Sequence, residues 1–274
     1  MAPEVNKSAS NRRDFAWRGA VRRLGWPLVE TLFNIGLGTR FALTVLARSG
    51  LAWRRPRLVM LHLKHIGVYT LVIILVAGLF IGFVLGLQFY TLLERYGQQD
   101  LLSVGVALTL FRELGPVAAG LLFVGCACTS ITAAIGLKKA SEQIAAMEVM
   151  AVDPLARELA PRLLAGMIAL PLLTVYFDIV GVLGSYLITV QQIGLDEGTF
   201  WAGIKGQVGF YEDFMQGIYK SIFFGFITVM IALYEGYFCV PTAEGVARAT
   251  TRTVIKGSLA VLGANFVFTA FMVH

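Results

Sequence analysis

The sequence predicts an all-α integral membrane protein, in which an N-terminal interfacial amphipathic helix precedes five transmembrane helices. Composition is the first observation: the 274 residues are 57% hydrophobic and only 15% charged, with a mean hydropathy of +0.73. Soluble domains carry about 25% charged residues. Long charge-free runs are the second, since about 20 apolar residues cross the hydrocarbon core. Together they exclude an ordinary soluble enzyme, a disordered chain and a coiled coil.

The N-terminal region divides into a basic tail, 1–23, and a segment, 24–65, that we interpret as an interfacial helix followed by a basic linker. The tail lacks the apolar run of a secretory signal peptide. Residues 24–47 are apolar but include Glu30 and Arg40. Burying both charges in a spanning helix would cost roughly 2.5–3.5 kcal/mol each. A helix that lies in the membrane–water interface is therefore favoured, and a sixth span is the alternative.

Residues 66–274 are predicted to form the membrane domain. Its spans are TM1 at 66–93, TM2 at 104–137, TM3 at 162–190, TM4 at 215–238 and TM5 at 254–273. The segment 141–152 between TM2 and TM3 is too short and too charged to span, and is predicted to be a solvent-side helix. Ser141 is its expected capping residue.

TM1 carries small residues on one helix face, at Gly78, Gly82 and Gly86. Such a stripe allows a neighbouring helix to approach closely, and packing is a simpler interpretation than gating. Gln88, just beyond the stripe, could donate a hydrogen bond across an interface.

Several polar residues fall at or near membrane depth. Pro116 lacks a backbone donor and is expected to kink or restart TM2 close to Glu113. Asp178 in TM3 is a functional candidate, unless it is protonated or paired inside the bundle. His62 and His65 could bind a metal at the mouth of TM1, but interfacial side chains of this type more often extend towards water.

Charge sets the expected orientation. Nineteen of the 23 Lys and Arg residues fall in the first 65 residues or in loops predicted to lie on the same side of the membrane. The positive-inside rule then places the N-terminus in the cytoplasm and the C-terminus outside.

The three cysteines lie in apolar context, which predicts no metal site. The sequence contains no G-x-x-x-x-G-K-[ST] phosphate-binding loop, so no ATPase of its own is expected. The basic tail is expected to meet phospholipid headgroups rather than nucleic acid.

Four short motifs carry a family resemblance: E-L-G-P at 113–116, S-E-Q at 141–143, M-E-V-M at 147–150 and V-D-P at 152–154. With A-T-T-R-T-V at 249–254, they resemble the MlaE (YrbE-type) permease family, from about residue 20 to the C-terminus. The resemblance implies the permease subunit of an ABC-type transporter that moves phospholipids between inner and outer membranes and maintains outer-membrane lipid asymmetry. It also implies a multi-pass protein of the Gram-negative inner membrane, with the C-terminus in the periplasm.

The resemblance implies partners as well. These are a second copy of the chain, a cytoplasmic MlaF-like ATPase that binds ATP and Mg, a periplasmic ring of MlaD-like MCE proteins and an MlaB-like STAS-domain protein. It matches 141–154 to a cytoplasmic coupling helix, with Ile144, Met147 and Met150 on its apolar face. The implied coupling residues are Ser141, Glu142, Gln143, Ile144, Met147, Glu148, Met150, Asp153 and Pro154.

A second implied set contributes to a lipid pocket at the dimer axis or to helix packing. Its members are Gly78, Gly82, Gly86, Gln88, Glu113, Pro116, Cys126, Ala134 and Ile135. Many family members have Arg and Glu where this chain has Cys126 and Ala134. The two charges were either lost together because they compensate each other, or this pocket handles the headgroup differently.

Two other classes of protein stay open at this point. One is an ion-coupled secondary transporter or channel, and the other is a non-catalytic membrane scaffold. A secondary transporter is typically built from internal repeats. Five spans do not divide into equal halves and no repeat is visible, which favours the permease.

Overall fold

The computed structural model describes residues 36–50 and 56–272, which are helical almost throughout and contain no strand. Five helical stretches in this part of the chain are long and apolar enough to cross a membrane. This confirms the all-α fold with five spans. The spans are TM1 at Pro56–Glu94, TM2 at Gln99–Ala140, TM3 at Leu155–Gln192, TM4 at Phe210–Tyr237 and TM5 at Ala243–Met272. Two short helices lie between them, at Gln143–Val149 and Glu197–Gln207.

The chain divides into two units, with the boundary between Ala47 and Arg48. In the first unit, residues 36–47 are helical. The predicted basic tail and most of the predicted interfacial helix fall outside the described residues. The interfacial position of 24–47 therefore stays a prediction.

The helices extend beyond the apolar runs from which they were predicted. TM1 begins at Pro56 rather than at residue 66, so residues 56–65 are helix and not linker. TM3 begins at Leu155 rather than 162, and TM5 at Ala243 rather than 254. Hydropathy marks only the part of a helix that lies in hydrocarbon. The backbone hydrogen bonds continue into the polar region, where side chains such as Lys64 reach water.

TM1 and TM3 pack along the glycine stripe. Gly78 faces Phe177, Gly82 faces Gly181 and Gly86 faces Ser185. Each pair is separated by 99 positions, so the two helices run parallel and in register. A Cβ at Gly82 would overlap the carbonyl oxygen of Gly181. The stripe therefore allows backbone-to-backbone approach between two spans of one chain.

TM2 is interrupted by two π-helical turns, at Leu110–Leu114 and Val124–Cys128. The first directly precedes Pro116, which has no N–H to offer to the carbonyl groups one turn earlier. The carbonyl oxygen of Arg112 is bound instead by Lys220 Nζ of TM4, at 2.9 Å. A side chain of TM4 thus supplies the hydrogen bond that the carbonyl group of Arg112 does not receive from Pro116.

Candidate functional site

The short helix Gln143–Val149, here called the connecting helix, is bounded by sharp turns. Glu142 before it and Ala151 after it have left-handed backbone, with φ of 58° and 57°. At its end, Ala151 N donates to Glu148 O at 3.0 Å and Val152 N donates to Met147 O at 2.9 Å. This Schellman arrangement satisfies the last carbonyl groups and fixes where the helix stops.

The predicted capping role of Ser141 is wrong. Its hydroxyl donates back to the carbonyl oxygen of Leu137 at 2.9 Å, so Ser141 belongs to the last turn of TM2. Glu142 occupies the N-cap position of the connecting helix and makes no side-chain capping bond. TM2 continues as far as Ala140, which leaves Ser141 too close to the end of TM2 to start another helix.

The connecting helix has an apolar surface that this chain only partly covers. Ile144 is buried and Met147 is half-buried. Val149 and Met150, by contrast, are 89% and 66% exposed. Adjacent exposed apolar side chains among polar residues are typical of an interaction surface. Gln143 and Glu148 are exposed beside them.

Asp153 and Pro154 join the connecting helix to TM3. The carboxylate of Asp153 accepts a hydrogen bond from the backbone N–H of Leu155 at 3.0 Å. Its other oxygen pairs with Arg48 Nη1 at 2.5 Å. Pro154 is buried and Asp153 is partly buried. These contacts fix the junction.

A carboxylate holds together the two spans on either side of the connecting helix. Glu158 of TM3 accepts hydrogen bonds from Lys138 of TM2 at 2.6 Å and from Arg162 at 2.5 Å. Lys139 donates to the carbonyl oxygen of Tyr237, at the end of TM4, at 2.7 Å. The connecting helix therefore projects from a base in which three spans are linked by charged side chains.

A second polar cluster lies at the other end of TM2 and joins three helices. Glu113 accepts hydrogen bonds from Lys220 Nζ of TM4 at 2.8 Å, and from Asn265 Nδ2 and Thr269 Oγ1 of TM5 at 3.1 and 3.0 Å. Lys220 is 1% exposed. Its charge is thus compensated inside the bundle, as a buried charge requires.

The neighbouring residue forms a similar pair. Arg112 Nε donates to Asp213 Oδ1 at 2.5 Å, and Asp213 Oδ2 accepts from the backbone N–H of Gly209 at 2.7 Å. Sequence reasoning singled out Glu113 but missed all of these partners. A usable signal was present, because Glu113 and Lys220 carry opposite charges near the same predicted end of their helices.

Asp178 lies apart from both clusters. It is 3% exposed, and its Oδ1 has no hydrogen-bond partner among the described residues. It packs against Gly115 at the break in TM2, where an added Cβ would overlap the carboxylate. Only glycine leaves room for this aspartate.

The residues predicted for a lipid pocket do not meet in one cavity of the single chain. The glycine stripe faces TM3, Gln88 is exposed, Glu113 belongs to the polar cluster and Pro116 is buried at the TM2 break. Ile135 is buried near Gly236, and Cys126 is partly exposed in the second π-helical turn. Ala134 lines a groove between TM1, TM2 and TM3.

No group of three or more His, Cys, Asp or Glu side chains that could hold a metal ion occurs within 36–50 and 56–272. In this part of the chain the pair His62 and His65 has no third ligand. All three cysteines are free thiols.

A bundle of five apolar spans, with ion pairs between its helices and a short exposed helix at one end, defines a multi-pass membrane protein. Residues 59–271 match the family described as Permease MlaE. The chain belongs to this MlaE permease family, which confirms the resemblance drawn from its motifs. The family assigns it to membrane transport rather than to catalysis.

Individual relatives agree with this assignment. The chain is 48% identical over 207 residues to the intermembrane phospholipid transport system permease protein MlaE of Haemophilus influenzae, covering 76% of this chain and 79% of that protein. It is 34% identical over 217 residues to a probable ABC transporter permease protein of Rickettsia typhi, covering 78% and 83%. A probable ABC transporter permease protein of Rickettsia bellii is 32% identical over 244 residues, covering 88% and 92%.

Proposed function

We propose that this chain is the membrane subunit of an ABC-type transporter that moves phospholipid between the inner and outer membranes of a Gram-negative cell. The name of the Haemophilus influenzae relative supports phospholipid as the substrate. The sequence has no phosphate-binding loop, which supports ATP and Mg binding in a separate ATPase. The proposed location of the protein is the inner membrane, with the N-terminus in the cytoplasm. The proposed outcome is outer-membrane lipid asymmetry.

The connecting helix carries this proposal. Val149 and Met150 are exposed apolar side chains on a helix whose two ends are fixed by left-handed turns. Burying such side chains in a groove of a partner would release about 1.5–3 kcal/mol for each fully covered residue. A helix held this firmly passes a displacement on to TM2 and TM3, which is what a coupling element needs.

The lipid would be held by the free faces of TM1 and TM2 at the axis of a permease homodimer. The face of TM1 opposite the glycine stripe exposes Val72, Val76, Phe80 and Val84, which recur every four residues. This stripe is apolar, so acyl chains can lie along it without stripping water from polar groups. An MlaD-like ring outside and an MlaB-like STAS protein inside complete the proposed assembly.

Co-purification tests the proposal. The tagged full-length chain is extracted in detergent from its native host, and bound proteins and lipids are identified by mass spectrometry. We expect an ATPase, an MCE protein and phospholipid. If neither an ATPase nor phospholipid is recovered, the secondary transporter or the scaffold becomes the better interpretation.

A matched pair of variants tests the connecting helix itself. Met150→Asp places a charge on its exposed apolar surface and should abolish recovery of the ATPase. Tyr211→Asp makes a comparable change at an 82% exposed aromatic side chain at the start of TM4, and should retain it. If Met150→Asp retains the ATPase as well as Tyr211→Asp does, the docking surface lies elsewhere.

A further inference from the structure

We propose that a groove between TM1, TM2 and TM3 binds the phosphate of a phospholipid headgroup, with the upper acyl chains lying along its apolar wall. The inference takes its ligand class from the proposed function and adds a binding position to it. This groove is called the TM1 groove. Its lining includes the basic side chains of His62, Lys64, His65 and Arg162, and Ile131 and Ala134 of TM2.

The size of the TM1 groove suits part of a lipid. Its volume is about 590 Å³. Small-molecule sites are typically about 300–1,000 Å³. This volume is enough for a headgroup and the region of the glycerol, while the remaining acyl chains would continue into the surrounding bilayer.

The charge of the TM1 groove favours an anion. None of its lining residues is acidic, while Lys64, Arg162 and two imidazoles contribute hydrogen-bond donors. Glu158 lies beside the groove but is already shared between Lys138 and Arg162. Lys64, Lys138 and Arg162 carry three positive charges against the one negative charge of Glu158, which leaves a net charge of +2 in and beside the groove before either histidine is counted.

Arg162 is placed to contribute to the groove without being displaced. It is 5% exposed, and the hydrogen bonds to Glu158 are made by Nη1. Its other N–H groups remain for a ligand, and a guanidinium binds phosphate with more than one donor. The salt bridge holds the guanidinium in place, so little side-chain entropy is lost when an anion binds.

Position distinguishes a lipid phosphate from a free phosphate. His62, Lys64 and His65 directly precede the charge-free run 66–93, so they lie where the apolar part of TM1 meets the polar region. From there the groove continues along Ile66, Tyr69 and Ile131. A site that is cationic at the membrane boundary and apolar below it matches a phospholipid from phosphate to chain. A free phosphate would use only one end of it.

A binding titration tests the TM1 groove. The full-length chain in detergent is titrated with dioleoyl phosphatidylglycerol, and bound lipid is counted by native mass spectrometry. Dioleoylglycerol, which has the same chains and no phosphate, is the matched ligand. We expect phosphatidylglycerol to bind at least about tenfold more tightly, because charge-assisted hydrogen bonds to the phosphate are lost with the diacylglycerol. Equal affinity for the two lipids would overturn the phosphate site.

Variants locate the binding. Lys64→Gln combined with His65→Gln, and separately Ala134→Glu, should each weaken phosphatidylglycerol by about tenfold and leave dioleoylglycerol unchanged. Arg57→Gln removes an exposed cation from the same helix outside the groove and should change binding less than twofold. If Arg57→Gln weakens binding as strongly, the attraction is a general surface charge and the proposal is wrong.

Two further outcomes separate the alternatives. Displacement of phosphatidylglycerol by millimolar inorganic phosphate would show a free-anion site and overturn the commitment to a lipid. Lipid binding is measured without the ATPase, so absence of an ATPase partner would contradict the proposed function and leave the TM1 groove intact. If the groove does not bind lipid but the ATPase is recovered normally, the TM1 groove proposal is wrong and the proposed function is unaffected.

Discussion

Replacing Gly82 by alanine should weaken the contact between TM1 and TM3. The added methyl group would overlap the carbonyl oxygen of Gly181, and it would also lie 2.8 Å from the carbonyl carbon. Both atoms are backbone, so no side chain can rotate away. The two helices must separate instead, and the neighbouring contacts at Gly78 and Gly86 would loosen with them.

The size of the effect follows from the geometry. Overpacking in a close-packed interior costs about 1–3 kcal/mol. For a chain of this size, that corresponds to a fall in Tm of roughly 2–12 °C. The stripe should also give a graded series. A Cβ at Gly78 would lie 2.9 Å from the carbonyl oxygen of Phe177, and one at Gly86 would lie 3.2 Å from Ser185 Cα. The loss should therefore decrease from Gly82→Ala to Gly78→Ala to Gly86→Ala.

The same helix offers a control. A Cβ at Gly67 would meet nothing within 4 Å. Gly67→Ala should leave Tm unchanged or raise it, because alanine has the higher helix propensity by about 1 kcal/mol. Thermal unfolding of the detergent-purified full-length chain, followed by tryptophan fluorescence, measures all four variants. If Gly82→Ala and Gly67→Ala have equal Tm values, the backbone contact between TM1 and TM3 is not as described.

Two other predictions concern the polar groups. Lys220→Met leaves Glu113 without its ammonium partner and should lower stability by about 2 kcal/mol, less than for a fully buried pair because the Glu113 side chain is 40% exposed. Adding Glu113→Gln should recover part of the loss, and strictly additive losses in this double-mutant cycle would contradict the pairing. Asp196 caps the helix Glu197–Gln207, and hydrogen bonds from the backbone N–H and the hydroxyl of Thr199 lower the pKa of its carboxyl. Its stabilising contribution is therefore complete above the unfolded pKa of about 3.9 and is lost as pH falls through the lower folded pKa. The difference in Tm between the chain and Asp196→Asn, whose cap does not titrate, should shrink below about pH 4, and a constant difference would contradict the cap.

Sequence reasoning predicted the spans because charge-free runs are a local signal. It placed the start of TM1 at residue 66, where hydropathy changes, whereas the helix begins at Pro56. Helix continuation depends on backbone hydrogen bonds and solvated side chains, and neither is visible in hydropathy. The capping role of Ser141 failed for a related reason, since the left-handed turn at Glu142 is a property of the connection and not of the serine.

Site residues were predictable one at a time but not as partners. The small-residue spacing of TM1 indicated close packing, yet nothing in TM1 identifies TM3 as the neighbour. Glu113 was singled out as a charge near membrane depth, while Lys220 lies 107 positions later in the chain. Pairing across such a distance depends on how the helices pack, which no local pattern contains.

The register between TM1 and TM3 has a mechanical consequence. Three backbone contacts at a constant offset of 99 positions extend over eight residues of helix, or about 12 Å. Rotating one helix against the other, or shifting it by one residue, would make backbone atoms overlap. TM1 and TM3 are therefore expected to move together as one rigid pair. TM2 makes close backbone contacts with TM4, where Gly217 faces Phe111 and Gly236 faces Thr132, but it also contains two π-helical turns within its length. The π-helical turns of TM3 lie at its two ends instead, at Leu155–Leu159 and Leu187–Gln192. A displacement of the connecting helix would therefore tilt TM1 and TM3 together, and the bending that accommodates it would occur in TM2.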